Sequence, residues 1–169
     1  MNVRRLTDDD YEALREIRLE ALRLHPENFG ADLDYEESFG REQWLARLAS
    51  AVTLGGFVDG KRANELGGIV VFNKSPRKKI GHTGEIGAMY VRAPYRGSGL
   101  ADALLESVID HAVGVVEQLK LTVNAENRAA IKFYERHGFR EIGRYPNSLR
   151  VGDRTYEELI MFRTVDASD

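Results

Sequence analysis

The run from Val91 to Ala101, Val-Arg-Ala-Pro-Tyr-Arg-Gly-Ser-Gly-Leu-Ala, constrains this chain more than any other stretch. A strand end, a proline and two spaced glycines lead through a tight basic turn into a helix. Gly97 and Gly99 carry no Cβ, so the backbone there can take left-handed angles and present consecutive N–H groups to one ligand. The following helix adds its unpaired first-turn donors and the positive end of its dipole. Such a turn is an anion cradle, suited to phosphate. Arg96 adds a planar, permanently charged fork that matches a pyrophosphate oxygen pair. An ordinary strand-to-helix turn beside a surface arginine has the same composition, so the neighbouring segments decide between the two.

With 169 residues, 43% hydrophobic and 30% charged, the chain is expected to form one domain over residues 1–169 with a substantial core. A formal net charge of −3 argues against a nucleic-acid partner, which would need clustered Lys and Arg. Arg77-Lys78-Lys79 reads as a solvated hairpin loop. The absence of cysteine excludes a disulfide, a thiolate nucleophile and a cysteine zinc site, and fits a reducing compartment. Histidines at 25, 82, 111 and 137 lack metal-ligand spacing, so no metal is expected. Thr7-Asp8-Asp9-Asp10 stands where a signal peptide would need an apolar run, and no apolar stretch approaches membrane-spanning length. A cytoplasmic protein without a membrane partner is the expectation.

Val3 to Leu6 reads as a first strand, with Thr7 as a helix cap followed by three aspartates. Leu14, Ile17, Ala21 and Leu24 recur at helical spacing up to a stop at His25-Pro26. Ser38 to Ala49 reads as a second helix with Trp44, Leu45 and Leu48 inward. Strand-like runs follow at 52–58, 66–73 and 83–91, separated by Asp59-Gly60 and by the loop through Pro76. Leu100 to Val116 is a long helix, Lys120 to Val123 a short strand, and Glu126 to His137 a helix closed by Gly138. Phe139 to Tyr145 and Tyr156 to Arg163 pair as a last hairpin around Val151-Gly152-Asp153. The strand, crossover helix and strand in the middle imply parallel strands at 83–91 and 120–123, flanked by antiparallel meanders. Ligands in such open sheets bind beyond the carboxyl ends of the parallel strands, where Val91 to Gly99 and Asn124 to Asn127 lie.

Other phosphate-binding motifs fit poorly. A Walker loop needs Gly-Lys-Ser/Thr after four intervening residues, and a dinucleotide fingerprint needs glycine where Asp102 stands. Ser98 lacks the rest of a nucleophile-elbow sequence. Arg96-Gly97-Ser98-Gly99-Leu100-Ala101 resembles the Arg/Gln-x-x-Gly-x-Gly/Ala signature of the GNAT superfamily of acyl-CoA-dependent N-acyltransferases. Asn124-Ala125-Glu126-Asn127-Arg128 through Phe133-Tyr134-Glu135-Arg136-His137-Gly138-Phe139 is similar to that family's second motif. The element order agrees from residue 2 to about 164. The resemblance implies an α/β (α+β) three-layer fold with a central mixed, mostly antiparallel sheet of about seven strands flanked by helices.

It also implies acetyl-CoA as co-substrate, without metal. The backbone N–H groups of Gly97, Ser98, Gly99, Leu100, Ala101 and Asp102 would hold the pyrophosphate, with Arg96 ordering the turn. Met89, Tyr90 and Val91 would run beside the pantetheine arm, whose amides can pair with exposed main chain as an added strand would. Gly87-Ala88 reads either as a bulge that re-aims the strand end or as small residues packed under a helix. An N–H near Val91 could stabilise the oxyanion of the thioester carbonyl. Asn124 and Asn127 would bond the pantetheine amides or cap a strand and a helix. By resemblance the Tyr134 hydroxyl protonates the departing thiolate, against the alternative of a core tyrosine. Glu85 would be the base, against the alternative of a solvated strand-edge carboxylate, and Gly87 stands where other members place theirs.

The implied reaction is direct attack of a small-molecule or peptidyl amine in a ternary complex. The alternative is a noncatalytic acyl-CoA-binding sensor. Glu27, Asp32, Asp34, Glu36 and Glu37 lie between Pro26 and Gly40 without Lys or Arg, which suggests either steering of a cationic acceptor or a solvated loop. Phe29, Tyr35 and Trp44 would line its pocket or pack the helix pair. A homodimer through the last strands is compatible with the sequence.

Overall fold

The computed structural model describes residues 1–58 and 65–165. Strand β1 (Asn2–Arg5) leads through a 3-10 turn at Asp8–Asp10 into α1 (Tyr11–Leu24). The Thr7 amide donates to the Asp10 carboxylate at 2.8 Å, which satisfies a donor at the helix start. Leu14, Ile17 and Ala21 are buried as their spacing predicts, whereas Leu24 is 58% exposed because the chain turns away at His25.

In place of one helix from Ser38, two form: α2 (Leu33–Glu37) and α3 (Arg41–Ser50). The Ser38 hydroxyl donates to the Tyr35 carbonyl at 2.6 Å and competes with the helical ladder there. Gly40 then starts α3 from an extended conformation.

Strands β2 (Val52–Val58), β3 (Glu65–Lys74) and β4 (Thr83–Val91) form the expected meander. The Asp59-Gly60 turn lies outside the described residues. Helix α4 (Leu100–Ala112) stops short of Val116, since Gly114 adopts φ +71° just beyond it. Strand β5 (Gln118–Asn124) and α5 (Arg128–Arg136) follow, and Gly138 at φ +81° closes that helix. The hairpin β6 (Arg140–Val151) and β7 (Arg154–Thr164) is longer than its apolar pattern suggests.

The seven strands make one sheet in the order β1-β2-β3-β4-β5-β7-β6. Only β4 and β5 are parallel neighbours; the other pairings are antiparallel. Alternation along β3 feeds two cores: Val70 and Phe72 pack with Leu100, Leu104 and Val108 of α4, while Ile69 packs with Leu14, Ile17 and Trp44 on the α1 and α3 side. Helix α4 sits so close that a Cβ on Gly56 would come within 2.5 Å of Leu100 Cδ1. Glycine at that point lets the first turn of α4 rest on the sheet.

Two irregularities open the middle of the sheet. Strands β4 and β5 pair from Thr83–Gln118 to Glu85–Lys120 and then part. Opposite Ile69 and Val71, β4 carries a bulge in which Ala88 takes φ +51°. The sequence reading of Gly87-Ala88 as a bulge therefore holds, and the strand end is re-aimed where the two strands diverge.

Candidate active site

The turn before α4 has the conformation its glycines permit. Gly97 and Gly99 adopt φ +74° and +85°, and Gly99 caps α4. The backbone amides from Gly97 to Asp102 find no acceptor among the described residues, and the first amide to return to the helix is Ala103, on the Gly99 carbonyl at 3.0 Å. Side chains nearby are committed elsewhere. The Ser98 hydroxyl donates inward to the Tyr95 carbonyl at 2.7 Å. Asp102 is ion-paired with Arg136 and lies 3.3 Å from His137 Nε2. Leu100 is fully buried, with its side chain in the core under the sheet. Arg96 does not project into the turn: its Nε donates to the Val91 carbonyl at 3.0 Å, and its Nη2 lies 3.1 Å from His25 Nε2. It orders the junction between β4 and the turn.

Where β4 and β5 part, a cleft of about 600 Å³ opens. One wall carries Gly87 to Val91 and Arg96; the other carries Thr122 to Asn124, Asn127 and Tyr134. Beyond Glu85 the edge of β4 that faces β5 has no strand partner, so its main-chain groups border the cleft. Met89 lines it with its side chain half-buried. The Tyr90 side chain is turned to Glu20, donating to it at 2.9 Å.

Tyr134 stands on the cleft wall, 7% exposed, with its ring against Phe133 and Phe139. Burial pushes its pKa well above that of a free phenol, so the hydroxyl stays protonated. Glu85 is placed differently. It lies on the paired part of β4, 55% exposed, with Lys120 Nζ at 3.2 Å, and it is not among the residues that line the cleft.

The segment after α1 closes the cleft from the third side. His25, Glu27, Asn28 and Phe29 all line it. Buried Asn124 donates to the Glu27 carbonyl at 2.9 Å and accepts from the Glu126 amide at 2.9 Å. Asn127 caps α5 through Ala130 at 3.1 Å, and its Nδ2 reaches Asn28 Oδ1 at 3.4 Å. The side chains of Asn124 and Asn127 thus stitch this segment to the end of β5. His25 and Asn28 escaped the sequence reading because a helix-stopping His-Pro gives no sign of partners 71 and 99 positions away.

The acidic stretch is not one field. Glu36 is 1% exposed and held by Arg18 at 3.0 Å and Arg47 at 2.7 Å, while Glu37 pairs with Arg23 at 2.6 Å. Trp44 is wholly buried, Tyr35 is exposed, and of the three aromatics only Phe29 lines the cleft.

A mixed sheet parted beside a glycine-rich helix start, with a buried tyrosine at the split, is the arrangement that the resemblance to acyl-CoA-dependent acyltransferases implies. Residues 11–139 match the model of the Acetyltransferase (GNAT) family, and the chain belongs to that family. An acetyltransferase of the GNAT family from Streptococcus pneumoniae superposes with a TM-score of 0.84 at 24% identity, covering 98% of this chain and 99% of that one. The yncA protein of Salmonella typhimurium, solved with its cofactor acetyl-CoA, gives a TM-score of 0.78 at 22% identity over 98% of this chain and 94% of its own. N-alpha-acetyltransferase 30 of Saccharomyces cerevisiae is 34% identical over 73 residues, which are 43% of this chain and 42% of that protein. The matched stretch spans about two fifths of the yeast relative.

Proposed function

We propose that the protein transfers the acetyl group of acetyl-CoA to a primary amine of a small molecule or peptide, by direct attack in a ternary complex. One observation carries this reading: the turn from Gly97 to Asp102, whose amides have no acceptor among the described residues, adjoins through Arg96 and Ala101 the same cleft that Tyr134 lines. Unpaired donors at a helix start fit a pyrophosphate, and the unpartnered edge of β4 at Met89 to Val91 fits an arm rich in amides. When bound, acetyl-CoA supplies an activated acetyl thioester. Gly97 to Asp102 hold its phosphates, Arg96 keeps the turn in register with Val91, and Asn124 and Asn127 border the arm while fixing the acceptor segment. Tyr134, neutral because it is buried, gives its proton to the leaving sulfur. Glu85, outside the cleft wall and paired with Lys120, lacks geometric support for the base role that the resemblance implies.

The test is release of CoA thiol from acetyl-CoA with a panel of amines: glycylphenylalaninamide, N-α-acetyl-lysinamide, spermidine and kanamycin. The proposal expects release with at least one of them, in proportion to acetylated amine. Tight CoA binding with no release from any amine would favour the sensor.

A further inference from the structure

We infer that Glu27 is the group that receives the acceptor ammonium and takes its proton, an assignment that rests on the acetyl-transfer reading above. Two carboxylates line the cleft, Glu27 and Glu126. Glu126 is occupied, because Arg154 holds both of its oxygens at 2.7 and 2.8 Å. Glu27 has no arginine or lysine partner among the described residues; its neighbours are the Asn28 amide at 3.4 Å and His25 Nδ1 at 3.9 Å. A carboxylate with spare lone pairs beside a thioester-sized cleft is a site for one more cation.

Its placement is built. The Asn124 side chain fixes the Glu27 carbonyl, Asn127 reaches Asn28, and Arg96 reaches the neighbouring His25. The donor half of the molecule therefore holds the backbone and the neighbours of Glu27 from both walls. The titratable and charged groups of the cleft wall are His25, Glu27, Tyr90, Arg96, Glu126 and Tyr134. On β6, which also packs against this turn, Arg140, Glu141, Arg144, Tyr145 and Arg150 lie off that wall.

The proton balance is as follows. The ammonium gives one proton to Glu27, which passes it to solvent. The nitrogen lone pair forms the bond to the acetyl carbon, and the carbon–sulfur bond breaks with its electron pair on sulfur. Tyr134 protonates that sulfur. The second nitrogen proton leaves through Glu27 and solvent and restores Tyr134, so one proton is released per turnover. Amines of the α and ε type are protonated at neutral pH to different degrees, and both need this first step.

The experiment compares Glu27→Gln, Glu27→Asp and Glu85→Gln with the parent, using whichever amine of the panel turns over fastest. For Glu27→Gln, kcat/KM should fall about 100-fold. Its pH profile should keep climbing to the amine's own pKa, whereas the parent levels off earlier. Calorimetric affinity of that amine for the CoA-loaded protein should drop about tenfold, with CoA affinity and melting temperature unchanged. Glu27→Asp should recover part of the rate, and Glu85→Gln should match the parent. An active parent with an unaffected Glu27→Gln overturns the role of Glu27 alone. A parent inactive with every amine overturns the acetyl-transfer reading and this inference with it.

Discussion

Asn124, at the end of β5, donates its side-chain amide to the backbone carbonyl of Glu27, 97 positions earlier, at 2.9 Å. Its other end accepts the Glu126 amide, and the residue is only 3% exposed. Asn124→Ala leaves one carbonyl and one amide without partners and should cost about 2 kcal/mol. The urea midpoint reads the loss. The KM for the amine should rise more than that for acetyl-CoA, and an unmoved midpoint would mean that other contacts hold the segment.

Tyr134→Phe removes one hydroxyl from a buried ring and leaves its packing in place. The rate constant kcat should fall about 100-fold while CoA affinity, measured by calorimetry, stays within twofold. Because burial holds the phenol protonated far above neutral pH, no loss of parent activity below pH ~10 should trace to Tyr134. An unchanged kcat would leave the ring as packing only.

Gly99 takes φ +85°, and a Cβ built there meets nothing within 4 Å. Any side chain therefore pays in backbone strain alone, about 1 kcal/mol, which thermal melts of Gly99→Ala would show. Gly99→Glu shares that strain and adds a negative charge over the free amides. It should abolish CoA binding where Gly99→Ala weakens it, and retained binding in the glutamate variant would move the phosphates elsewhere.

Arg4 donates to both oxygens of Asp10 at 2.7 and 2.8 Å, and this pairing lowers the Asp10 pKa to about 2. A carboxyl depressed on folding contributes stability above its unfolded pKa and loses it as pH falls. The contribution, about 1–2 kcal/mol, should be complete above pH ~4 and vanish on the way down to pH ~2. Asp10→Asn should be less stable at neutral pH and flatter across that window in urea titrations at fixed pH.

Much of this was legible before folding, and particular residues show why. Gly97 and Gly99 announced their positive φ, because a strand-to-helix turn with two spaced glycines has little other use for them. Tyr134 was marked by its motif and proved buried on the cleft wall. Local chemistry misled at Glu36, whose neighbours in sequence are acidic while its partners Arg18 and Arg47 come from other helices. Glu85 was read from the resemblance alone, and its pairing with Lys120 on β5 was visible only in the fold. The role of Asn124 as a clamp on residue 27 needed both ends of the fold in one place.

The parting of β4 and β5 after Glu85 and Lys120 leaves unpartnered main chain of β4 along the donor side of the cleft. Peptide groups are the same whichever residues carry them, so this half tolerates sequence drift so long as the backbone path survives. The segment from His25 to Phe29, by contrast, belongs to no strand, and His25, Glu27, Asn28 and Phe29 line the cleft from outside the sheet. The two halves can thus diversify at different speeds. Exchanging residues 25–38 for the equivalent piece of a relative should retune amine preference without rebuilding the donor half, provided the graft keeps a carbonyl for Asn124 to grip.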